Sequence, residues 1–255
     1  MGQAKVFALI IGTEILNRRR VDKHFDFVST TLLSYGQKLA GSFIIEDDPA
    51  LIIQTIRFIS SQPNAILFSF GGIGSTPDDH TRKCAAVALR DGELVTNQEV
   101  KKVIEDRLKE RAYPHPIKMA ELPKRVELIE NSFNGMPAFS IDDRYYFMPG
   151  FPEMSHPMVT EISKRLFKTK STYHRYTLTA RCKENLLIDV MNQMPDSVEF
   201  SSLPKYHDDG WSVTISVASH NDIEAMNAFK LYTDELDREA IPYILEDNSE
   251  GSSKI

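Results

Sequence analysis

Apolar residues follow two patterns along the first part of this chain. Val6 to Ile11 and Ala65 to Phe70 are almost unbroken apolar runs, as expected for strands buried on both faces. Elsewhere apolar positions recur at helical spacing. Phe25, Val28, Leu32 and Tyr35 predict a helix over Asp22 to Tyr35, ended by Gly36. Further helices are predicted over Pro49 to Ile59, from about Asp78 to Leu89, and around Val100, Val103, Ile104 and Leu108, with a strand over Leu39 to Ile45. This β-α-β-α-β-α order predicts a parallel sheet covered on both faces. Pro114, Pro116 and Pro123 break the pattern. Strands are then expected at Val126 to Ile129, Ala138 to Ile141 and Tyr145 to Met148, followed by a helix from Glu153 to about Phe167.

Beyond Lys170 the pattern changes. Tyr176 to Cys182 reads as a strand, Glu184 to Met194 as a helix and Val198 to Leu203 as a strand. Trp211, Val213, Ile215 and Val217 alternate as a one-sided strand. Ile223 to Ala240 is a helix and Tyr243 to Leu245 a last strand, completing the ferredoxin-like β-α-β-β-α-β order. The expected fold class is therefore α/β. A three-layer α/β/α sandwich with a mostly parallel sheet occupies residues 1–169, a small ferredoxin-like α+β domain residues 170–247, and a frayed polar tail residues 248–255.

Composition narrows the function classes. The 255 residues are 42% apolar and 26% charged, which suits a globular chain with a sizeable core. No apolar run approaches the length of a membrane span and no signal segment opens the chain, so a cytoplasmic protein without a membrane partner is expected. Val6 stands where myristoylation after Met1-Gly2 requires Ser or Thr. Cys84 and Cys182 match no metal or redox spacing and read as packed free thiols. From Lys170 onward there are 8 Lys/Arg against 15 Asp/Glu, and before it 22 against 21. The acidic second part argues against a nucleic-acid partner. One basic run, Arg18-Arg19-Arg20 with Lys23, reads as a solvated loop or as a phosphate contact after the first strand.

The densest chemistry follows the third strand, in Gly71-Gly72-Ile73-Gly74-Ser75-Thr76-Pro77-Asp78-Asp79-His80-Thr81. Glycines let backbone N–H groups approach a phosphate, and a helix N-terminus adds further donors. Asp78 and Asp79 would repel that anion unless a divalent cation were shared between them and it. The competing reading is helix capping, with Thr76 as N-cap, Pro77 at the first helical position and Asp79 imitating a capping box. The stretch is neither a P-loop nor a dinucleotide fingerprint. In an open α/β sheet, ligands bind outside the carboxyl ends of the strands. Gly12-Thr13-Glu14, Gly71 to Thr81 and Pro149-Gly150-Phe151-Pro152 all follow strands, and a parallel sheet would bring them to one edge. Asp47 could join them, although Asp47-Asp48-Pro49 is also a good helix start, and Glu14 could be a solvated loop residue. His24, His80 and His156 show no ligand spacing.

Together Gly12-Thr13-Glu14-Ile15-Leu16, Gly71 to Thr81 and Pro149-Gly150-Phe151-Pro152 resemble the signatures of the MoaB/Mog-type molybdopterin-binding domain family, in its CinA (competence/damage-inducible) branch. The run Arg20-Val21-Asp22-Lys23-His24-Phe25 is similar to the short CinA-like proteins, so the resemblance leads us to expect a short form without the nicotinamide-nucleotide amidase domain of full-length CinA. The resemblance implies a crevice for a phosphorylated pterin or nucleotide, a divalent cation such as Mg²⁺, and a homo-oligomer, dimer or trimer. It places catalysis on Asp79 and Glu14, and the metal on Asp79, Glu14, Asp47 and Asp78. The phosphorylated ligand falls to Gly12, Thr13, Gly71, Gly72, Ile73, Gly74, Ser75, Thr76, Thr81, Pro149, Gly150 and Pro152. The sequence departs from the family at the arginine run after Leu16 and at Met136-Pro137-Ala138, both on the expected rim. Three functions follow: a metal-dependent pyrophosphatase acting on ADP-ribose or a similar compound, a Mog-type enzyme adenylating molybdopterin, and a non-catalytic nucleotide sensor.

Overall fold

A computed structural model of the chain describes residues 4–168 and 173–246, and divides into two compact units, Met1–Thr169 and Lys170–Ile255. The expected tail lies outside the described residues.

The first unit runs β1 (Lys5–Ile11), α1 (Thr13–Leu16), α2 (His24–Leu33), β2 (Leu39–Ile45), α3 (Pro49–Ser60), β3 (Ala65–Phe70), α4 (Thr81–Leu89), β4 (Leu94–Thr96), α5 (Gln98–Leu108), β5 (Glu121–Pro123), β6 (Val126–Ile129), β7 (Ala138–Ile141), β8 (Tyr145–Met148) and α6 (Pro152–Phe167). The main sheet has the order β2-β1-β3-β8-β7-β6. Its first four strands are parallel; β7 runs antiparallel to β8, and β6 antiparallel to β7. β3 is buried along its whole length. On one face Leu9, Ile11 and Leu67 pack with Ile52 and Ile56 of α3, Ala85 of α4 and Ile104 of α5. On the other, Val6, Ile10 and Phe68 pack with Val28 and Leu32 of α2 and Val159 and Ile162 of α6. Three α/β/α layers follow directly from strands that are apolar on both faces.

The second unit runs β9 (His174–Ala180), α7 (Ile188–Met191), β10 (Glu199–His207), β11 (Gly210–Ser219), α8 (Asp222–Arg238) and β12 (Tyr243–Leu245). Its antiparallel sheet has the order β10-β11-β9-β12. Alternating Val213, Ile215 and Val217 meet Ala228, Tyr232 and Leu236 of α8.

Several boundaries differ from the sequence reading. β10 continues through Pro204 to His207 instead of stopping at Leu203. Pro204 lacks an N–H, and an edge strand needs none on its open side. The helix expected over Glu184 to Met194 is a 3-10 turn, Glu184–Leu187, followed by the single turn α7. Asn185, Asp189 and Asn192 favour such local turns over a long helix. The short α1 and the β4–β5 ribbon were not anticipated. Cys84 and Cys182 are both buried and unpaired. Among the described residues no helix is long and apolar enough to cross a membrane.

Candidate functional site

The parallel strands β1, β2, β3 and β8 deliver four chain turns to one sheet edge. The tightest is the exit of β3. Gly71 and Gly72 have φ of +97° and +68°, the left-handed region that favours glycine. The chain comes close to its neighbours here. A Cβ at Gly150 would lie 3.3 Å from Gly71 Cα, and one at Gly74 would lie 2.6 Å from Asp79 Oδ2.

The loop 71–81 does not form the helix start expected at Thr76. α4 opens at Thr81, with His80 in the N-cap position. Asp79 instead folds back on its own turn. Its Oδ2 accepts from the Thr76 N–H at 2.8 Å and the Thr76 hydroxyl at 2.6 Å, while the Asp79 N–H donates to Thr76 O. This self-contained turn satisfies Thr76 locally, so the chain has no need to enter the helix there. Asp78 is pulled below the usual carboxylate range by hydrogen bonding around Thr76 and by its own backbone N–H. Gly71 N–H donates to Met148 O and Thr81 N–H to Gly72 O. Among the described residues the N–H groups of Gly72, Ile73, Gly74 and Ser75 find no acceptor. Four successive unspent donors are a feature that suits an anion.

The β1 and β2 exits are tied together by Asp47. Its Oδ2 accepts from the Thr13 N–H and hydroxyl, each at 2.8 Å. Glu14, in α1, faces Arg20 at 3.8 Å. Arg20 also donates to Gly150 O at 2.9 Å, where His24 Nε2 approaches at 3.3 Å. A carbonyl only accepts, so the His24 proton sits on Nε2. Burial, with smaller contributions from nearby His156 and Arg20, pushes the His24 pKa down to about 4, and the ring stacks on Phe70 at 4.2 Å.

These turns enclose a cavity of about 540 Å³. Glu14, Asp47, Asp78, Asp79, Gly71, Gly72, Ile73, Gly74, Ser75, Thr76, Pro149 and Gly150 line it. Gly12, Thr13, Thr81 and Pro152, expected at the ligand, do not line it. Thr81 is fully buried and donates its hydroxyl to Gly71 O. Pro152 opens α6. The lining also includes residues that, Met136 apart, the sequence did not single out. Arg82 is buried, with Nη2 donating to Gly74 O at 2.7 Å and Nη1 to Lys118 O. Its basicity is lowered by burial and restored in part by Asp79 and Glu121. Asn131 shapes the loop before β7 by donating to Asn134 Oδ1 at 2.8 Å and accepting from the Phe133 N–H. Val100, Met119, Leu122, Met136, Phe139 and Met154 supply an apolar wall. Met136 belongs to the departure Met136-Pro137-Ala138 expected on the rim; for the others the signal is turn-rich Asn131 to Gly135, and an Arg inside a helical pattern gives no hint that it is buried.

The sequence profile of a family described as "Probable molybdopterin binding domain" matches residues 7–168. A CinA-like protein of Syntrophomonas wolfei subsp. wolfei is 33% identical over 163 residues, covering 61% of this chain and 38% of that protein. A protein of Archaeoglobus fulgidus is 28% identical over 199 residues, covering 76% of this chain and 83% of that one. Among solved structures, CinA from Thermoplasma acidophilum, described as having unknown function, superposes with a TM-score of 0.56 at 24% identity, over 63% of this chain and 98% of that one. The chain thus spans about two fifths of its longer CinA-like relatives. With the profile covering residues 7–168, nearly all of the layered unit and its crevice, the chain belongs to the molybdopterin-binding domain family, and the relatives it matches include CinA-like proteins.

Proposed function

We propose that this chain is a divalent-metal-dependent pyrophosphatase acting on ADP-ribose or a similar nucleoside-diphosphate compound. One observation carries the reading: a single cavity gathers a glycine loop with unspent N–H groups and four carboxylates. The donors suit phosphate oxygens, which the carboxylates alone would repel. Among the described residues no three His, Cys, Asp or Glu side chains are arranged to hold a metal by themselves. Mg²⁺ fits the wall in company with a ligand, since it takes one or two carboxylates together with substrate phosphates and water. The hydrogen bonds on Asp47 and Asp79 all fall on Oδ2, leaving Oδ1 of each for a cation. Asp79 and Glu14 are the proposed ligands, with Asp47 and Asp78 beside them. Bound Mg²⁺ supplies a Lewis acid that activates water and offsets charge developing on the phosphoanhydride. The chain's own part is positioning. The N–H groups of residues 72–75 orient the phosphates, Arg82 fixes the far end of that loop through Gly74 O, and the apolar wall takes a planar ring.

Asp79→Asn tests the reading, because the amide keeps an oxygen for the Thr76 N–H while the charge is lost. Hydrolysis of ADP-ribose with Mg²⁺, followed by chromatography of the products, is expected to fall by about 100-fold or more with the fold intact. Wild-type turnover in this variant would overturn the assignment. The apolar wall accommodates a pterin as well as a nucleobase, so adenylation of molybdopterin is the second reading. Thermal protection by ADP-ribose or by molybdopterin, each with Mg²⁺, separates the two. Ligand binding with no product over long incubation would mark a nucleotide sensor instead.

A further inference from the structure

The cavity wall is short of cations able to meet a diphosphate. Four carboxylates face two guanidinium groups, Arg20 and Arg82. Arg82 is buried and gives its Nη donors to the carbonyls of Gly74, Lys118 and Glu121. Arg20 is different. Its side chain is 37% exposed and Nη2 donates to Gly150 O, but Nη1 stands 3.8 Å from Glu14, beyond hydrogen-bond reach. Nη1 and Nε therefore have unspent donors among the described residues. The guanidinium also lies 5.5 Å from the centre of the Phe151 ring, which holds its plane in place. Of the basic run after α1, Arg18, Arg19 and Lys23 do not line the cavity.

We infer that Arg20 is the ligand-contacting, specificity-determining cation of this cavity, gripping a phosphoanhydride with Nη1 and Nε while Gly150 O and Phe151 hold the guanidinium in place. The inference rests on the proposed reading of the cavity as a diphosphate site. A fork with fixed geometry suits two oxygens of a diphosphate better than the point charge of a lysine does. Glu14 gains from the same exchange: an incoming phosphate draws the Arg20 charge away and leaves that carboxylate for a cation. The selected ligand class is a diphosphate, above a monophosphate or a neutral nucleoside.

Calorimetric titration of the full chain with ADP, inorganic pyrophosphate and adenosine, at fixed Mg²⁺, tests this. Arg20→Gln is expected to weaken ADP and pyrophosphate by about 10-fold to 100-fold and leave adenosine unchanged. Arg20→Lys is expected to recover part of that loss. Wild-type affinity for ADP in Arg20→Gln would overturn the inference. So would an equal loss for ADP and adenosine, which would mean that Arg20 only holds the Gly150 turn in place. A wild-type protein that binds neither ADP nor pyrophosphate would sink this inference and the pyrophosphatase reading together. One that binds ADP through Arg20 yet never hydrolyses ADP-ribose would sink only the latter.

Discussion

Gly71→Ala should be a severely damaging single-methyl change in the first unit. Gly71 has φ +97°, and a Cβ there would lie well inside 3.0 Å of the Ile11 carbonyl oxygen, with the carbonyl carbon at 3.4 Å. A left-handed conformation costs an L-residue about 1–2 kcal/mol. Forcing a methyl against backbone adds about 1–3 kcal/mol, because Ile11 ends a central strand and has no rotamer by which to yield. Restricting the unfolded chain returns about 0.4–1 kcal/mol. The balance is a loss of about 3 kcal/mol, enough to lower a urea midpoint by about 1 M or more at ordinary m-values. Gly150→Ala is the matched comparison. Its Cβ would meet Gly71 Cα at 3.3 Å and Gly71 N at an ordinary 3.7 Å, with no positive φ, so its cost should be about 1 kcal/mol. The assay is urea unfolding by far-UV circular dichroism with hydrogen exchange of the β1 and β3 amides. Trp211, the single tryptophan, lies in the second unit and is not the reporter. Equal losses for the two variants, or a Gly71→Ala loss below about 0.5 kcal/mol, would refute the close-approach argument.

Two further outcomes follow. The His24 pKa is depressed from its ordinary 6.5 to about 4, because a second proton would fall on Nδ1, which is buried and without a partner. The unfolded chain binds that proton first, so stability should decline as pH falls from about 6.5 towards 4, by about 3 kcal/mol at most. His24→Gln, which keeps an amide donor for Gly150 O, should flatten that decline; a profile as steep as the wild type would assign it elsewhere. Arg82→Met should destabilise the first unit by about 2–4 kcal/mol, since it strands the carbonyls of Gly74, Lys118 and Glu121. A melting temperature unchanged in that variant would show that water replaces the guanidinium at no cost.

By itself the sequence determined the layered unit. Runs that are apolar on both faces, as in Val6–Ile11 and Ala65–Phe70, have no stable home except a sheet covered on both sides. It also located the glycine turn, because three glycines after a buried strand signal backbone that no other residue adopts cheaply. Tertiary structure decided the rest. Capping rules favoured Thr76 as a helix start, but Asp79 closes its own turn on Thr76 and leaves the helix to begin at Thr81. Pro204 reads as a strand breaker until β10 is known to be an edge. The contacts of the cavity's cations were the least visible of all, although the run Arg18-Arg19-Arg20 itself stands out in the sequence. Arg20 meets Gly150 across 130 positions and Arg82 meets Lys118 across 36. No local pattern encodes such pairings, because they depend on which strand ends the sheet order brings together.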